Sequence, residues 1–107
     1  MATSAASGTQ SATIDTEHTL STQTTAGSYV LSVDLNNLAL GDVVILRVKT
    51  KVGSGGTTRE ILSNTFSNPQ GQPVVQSIPI ASPHEVVFTL EQVEGTGRSF
   101  PWEVISL

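Results

Sequence analysis

The stretch Gly27 to Val52, GSYVLSVDLNNLALGDVVILRVKTKV, constrains the fold more than any other part of this chain. It reads as strand, turn, strand and holds the longest apolar run. Tyr29, Leu31, Val33 and Leu35 alternate with Ser28, Ser32 and Asp34, the period of a strand with one buried face. Val44, Leu46, Val48 and Val52 then take one side of a second strand, opposite Arg47, Lys49 and Lys51. Asn36-Asn37 and Gly41-Asp42 between them are turn residues that tolerate positive φ or bond their own backbone. Such a pair of strands demands an all-β scaffold and carries no reactive group of its own.

The remaining chain repeats the pattern. Ala12 to Leu20 alternates and predicts a first strand. Gly53-Ser54-Gly55-Gly56 links the organising pair to Thr57–Phe66, where the threonines and the glycine turn favour a hairpin over a helix at 59–64. Asn68 to Pro73 reads as an exposed loop. Val74 to Ile80 is a strand that Pro79 confines to an edge or ends. Val86–Val93 and Ser99–Leu107 complete the set, with Phe100, Trp102 and Val104 facing inward. About seven short strands separated by turns predict a single-domain antiparallel β-sandwich over residues 12–107. Residues 1–11, MATSAASGTQS, are small, polar and without hydrophobic period, and predict a flexible N-terminal arm.

Composition narrows the function. The chain has 107 residues, enough for one modest core. Charged residues are only 13%, about half the usual share, and serine and threonine take their place. A net charge of -4 with five basic residues argues against nucleic-acid binding. No cysteine is present, so disulfides and thiolate metal sites are excluded. No apolar stretch approaches the ~20 residues of a membrane span, and the N-terminus lacks the basic and apolar regions of a secretory signal.

Catalytic and ligand motifs are not found. His18 and His84 lie far apart and outside metal-ligand spacing. The carboxylates are scattered, Gly53–Gly56 lacks the Lys-Ser/Thr of a phosphate loop, and no GxSxG elbow occurs. No cofactor is expected. The one ordered charge feature is the Arg47, Lys49, Lys51 stripe. Its commoner role is edge protection, and its alternative is contact with an acidic protein surface, including a second copy of the chain. Trp102, the single tryptophan, reads as core rather than as a sugar-stacking platform.

The segments GDVVILRVKTKVGSGGTTRE and SPHEVVFTLEQVEGTGRSFPWEV resemble small β proteins encoded among the structural genes of tailed bacteriophages, over roughly Gly27 to Val104. The resemblance implies a capsid decoration or cement protein that binds the outer surface of the shell and stabilises it, with no enzymatic activity. It implies the major capsid protein and other copies of the chain, a trimer among the arrangements, as partners. Location would be the virion surface after synthesis in the host cytoplasm, with neither nucleic acid nor membrane as partner. A neck or tail role in the same virion and a glycan-binding module are the alternatives. Candidate contacts are Ala2, Thr3, Ser4, Thr9 and Gln10 of the arm, the ridge Arg47, Lys49 and Lys51, and Asn68 and Gln70 of the loop.

Overall fold

A computed structural model describes residues 2–107. Nine strands form in chain order: β1 Thr3–Ser11, β2 Glu17–Gln23, β3 Gly27–Asp34, β4 Val43–Thr50, β5 Arg59–Ser67, β6 Val74–Gln76, β7 Ile80–Ser82, β8 Val86–Glu94 and β9 Ser99–Ser106. No helix forms among the described residues. Sheet I has the order β1-β9-β3-β6, with β7 beside β6 on the same edge of β3, and sheet II has the order β2-β8-β4-β5. All pairings are antiparallel. The expected all-β sandwich is therefore what forms, with nine strands in place of seven.

The core lies between the sheets and is built from alternate residues of the long strands. Sheet I supplies Tyr29, Leu31, Val33, Ile80, Phe100 and Val104; sheet II supplies Val44, Leu46, Val48, Val86, Phe88 and Leu90. Phe88 and Phe100 are fully buried, and a buried phenylalanine contributes about 1.5–3 kcal/mol by leaving water. Leu35 and Leu38, from the turn after β3, close one end.

Several boundaries differ from the sequence reading for physical reasons. Residues 3–11 are not a flexible arm but strand β1, paired along its length with β9, Thr3 opposite Ser106 and Ser11 opposite Ser99. The inward row of β1 holds Ala6, Gly8 and Gln10, which give no hydrophobic signal. The apolar mass on that row comes from the neighbouring strand. A Cβ at Gly8 would meet the Trp102 ring at 3.3 Å, so the glycine leaves room for the half-buried indole, which packs against the core.

The first predicted strand begins later, at Glu17, because Asp15 adopts φ 63° in the preceding turn. The strand around Pro79 is split. β6 and β7 both pair with β3, and between them Ser77 continues the ladder, its Oγ accepting from Leu31 N at 3.0 Å. Val52, expected on the inward row of β4, lies beyond the strand and is 90% exposed.

Candidate functional site

Three surfaces carry the candidate residues, and they do not converge. The first is the outward face of sheet II. Glu17, Glu91, Arg47 and Lys49 lie on neighbouring strands β2, β8 and β4, with Glu60 on β5 opposite Lys49. Arg47 Nη1 lies 2.6 Å from Glu91 and 3.4 Å from Glu17, and its Nε lies 3.3 Å from Glu60. Lys49 Nζ is 3.1 Å from Glu17. Thr89, buried beneath this cluster, donates its hydroxyl to Glu17 Oε2 at 2.8 Å.

Partial burial pushes the Glu17 carboxyl up. The bonds from Thr89 and Lys49, with the charges of Lys49 and Arg47, outweigh it and hold the group below the ordinary glutamate value. Arg47 is shifted upward, first by its hydrogen bond to Glu91. The expected basic ridge is thus neutralised by its own sheet: Arg47 and Lys49 are both ion-paired, and Lys51 lies just past the end of β4. Edge protection is also corrected, because β4 is an interior strand between β8 and β5.

The second surface is the loop end where Asn68 and Gln70 lie. Both side chains hold the turn itself. Asn68 sits at φ 63°, and its Oδ1 accepts from Gly41 N at 2.9 Å. Gln70 Nε2 donates to Ser67 O at 2.9 Å. The same end contains Asp42, 1% exposed. Its carboxylate accepts from Ala39 N at 2.9 Å, Thr96 N at 3.2 Å and Arg98 Nε at 2.8 Å. Burial pushes the Asp42 carboxyl up, and the two backbone donors with Arg98 bring it below the ordinary aspartate value. Beside it, Gln92 is fully buried and binds Glu94 O, Thr96 O and Arg98 N. At φ 94°, Gly95 fits because it has no Cβ, which would fall on Asp42 Oδ1. This constellation fastens the β3–β4 connection to the β8–β9 turn. It is a structural clasp, and no sequence motif announces it because its members are far apart in the chain.

The third surface is the outward face and free edge of sheet I. Ala2, Thr3, Ser4 and Thr9 are exposed, and Gln10 is half-buried with Nε2 donating to Ser11 O at 2.9 Å. The ladder registers set Ser7, Glu103, Ser32 and Gln76 in one row across β1, β9, β3 and β6. A shallow groove of about 350 Å³ crosses this face, lined in part by Ser7, Ser32, Asp34, Val74, Pro101 and Glu103. Asp34 and Glu103 are the face's only charged groups among the described residues, and neither lies in an ion pair.

The titratable groups do not gather elsewhere. His18 Nε2 accepts from Thr13 N at 3.1 Å, and among the described residues no group of three or more His, Cys, Asp or Glu side chains is placed to hold a metal ion. A second open cleft, about 420 Å³, lies at the β4–β5 hairpin between Val52, Thr57 and Ile61. No family model, curated protein or solved structure matches the chain.

Proposed function

We propose that this chain is a non-enzymatic structural protein of a tailed-phage virion, a cement or decoration protein that docks on the capsid surface and stabilises the shell. The observation that carries the reading is the division of its polar groups. The charged side chains of sheet II and of the loop-end clasp bind one another, while sheet I presents a broad face of mixed hydroxyl and apolar side chains, Ser7, Ser32, Val74, Pro101 and Ile105 among them. That arrangement suits adhesion to another protein surface. The likeness of GDVVILRVKTKVGSGGTTRE and SPHEVVFTLEQVEGTGRSFPWEV to phage structural proteins supplies the particle.

The contact is assigned to the outward face of sheet I, along the row Ser7, Glu103, Ser32 and Gln76. The ridge Arg47, Lys49 and Lys51 is left a minor part, since two of its three cations already face carboxylates. Stabilisation follows by mass action, because a protein that binds only the assembled lattice draws the equilibrium toward the intact shell.

Quantitative mass spectrometry of purified virions tests this. On the order of hundreds of copies per particle is the expected result for icosahedral placement, whereas about six to twelve would move the protein to the neck or tail. Absence from the particle would overturn the virion reading. Replacing Arg47, Lys49 and Lys51 with serine should change shell occupancy little at any salt; a strong, salt-dependent loss would return the contact to the ridge.

A further inference from the structure

We infer that the free edge of β1 is a self-association surface, on which a second copy of this chain adds its own β1 in antiparallel register and joins the two five-stranded sheets into one. The inference goes beyond the virion reading and does not depend on it.

The four edges of the sandwich are unlike. The edge formed by β6 and β7 is broken at Ser77–Pro79. The β5 edge carries Arg59 and Glu60 and is bent by an irregularity at Ile61. The β2 edge carries Glu17 and has its own irregularity at Leu20. These are the devices that stop strand edges from pairing: charge, proline, bulges and short length. The β1 edge has nine residues, TSAASGTQS, with no charge and no proline. Its one irregularity, at Ala5, lies near the start and leaves Ala6 to Ser11 regular. A β-strand at a sheet edge presents unpaired N–H and C=O groups along its open side, and β1 is the one edge among the described residues free of charge and proline along its whole length.

The second copy is favoured as occupant by self-complementarity. An isologous contact sets each strand against itself, and any charge on the strand would then face a like charge. β1 has none. A two-fold axis normal to the sheet keeps outward rows on one side, so Ser7, Thr9 and Ser11 meet the same hydroxyl row of the second copy, a pairing favourable across antiparallel strands. Serine, alanine and glycine also lose little side-chain entropy on being fixed.

Sedimentation velocity on the purified chain over a concentration series tests the inference. The expected result is a reversible dimer. Replacing Ser7 and Thr9, both exposed, with lysine should weaken it by on the order of tenfold or more through like-charge contact. The Ser7→Glu, Thr9→Glu variant should weaken it equally, and an equimolar mixture of the two should restore association. Thr19→Lys on the exposed β2 edge should leave it unchanged. Circular dichroism melts establish that each variant is folded. A monomer up to about 1 mM, a dimer indifferent to both charge variants, a mixture that fails to recover, or an equal loss from Thr19→Lys would each overturn the inference.

Discussion

The two outward faces of the sandwich solve the same solvation problem with different chemistry. On sheet II, five charged side chains from four strands meet around Arg47. On sheet I the matching positions hold the hydroxyls of Ser7, Thr9 and Ser32 beside apolar Val30, Val74, Pro101 and Ile105, with Asp34 and Glu103 alone charged among the described residues. Charges that pair within a face fix the strands that carry them and leave little for a visitor. Hydroxyls hydrate readily, release water readily and accept or donate to either. The face with more charge is therefore the more closed, and the plainer face is the more available.

The contrast breaks first at Arg47. Arg47→Glu sets a fourth carboxylate among Glu17, Glu60 and Glu91, and urea unfolding should show a loss of about 2–3 kcal/mol. An unchanged midpoint would make the two faces energetically alike. Next, Thr89→Val removes the buried hydroxyl that donates to Glu17, with an expected loss of about 1 kcal/mol. The same variant combined with Glu17→Gln should be less than additive, which a double-mutant cycle reads directly.

Acid sharpens the comparison further. Glu17 and Asp42 both titrate below their ordinary values in the folded chain. Their stabilisation is complete above the unfolded carboxylate range of about 4 and is lost as pH falls through the depressed folded values. Glu17→Gln should flatten part of that acid limb of the stability–pH curve, leaving the share that belongs to Asp42. The smallest effect is expected on sheet I, where Glu103→Ser should move stability by about 0.5 kcal/mol or less. A larger loss there would reveal an electrostatic role that the face does not display.

The long alternating strands were legible because each carries its own apolar row: Leu31 and Val33, Val44 to Val48, Phe88 and Leu90. β1 was illegible for the opposite reason. Its inward row is Ala6, Gly8 and Gln10, and the Trp102 ring beside them belongs to another strand. Hydrophobic period reports what a strand brings to the core, not what it leans on. The stripe Arg47, Lys49, Lys51 was visible as charge, but its neutralisation depends on Glu17 and Glu91, which reach it only through the non-sequential order β2-β8-β4. Asp42 looked like a turn residue and is one. That it also clasps Arg98 and Thr96 follows from packing between segments more than fifty positions apart.

The place of β9 has a consequence for how the protein is made. β9 occupies the interior of sheet I, between β1 and β3. During vectorial synthesis β1 emerges before β9 and has no ladder partner until β9 follows. In that interval the apolar faces of β3, β4 and β8 stand without Phe100, Trp102 and Val104 to cover them. Long-range pairing of this kind is slow and leaves edges open while it is awaited. Seating of β9 is thus one event in which a single strand covers the core and captures β1 in the same step. A chain truncated before Ser99 would lose both.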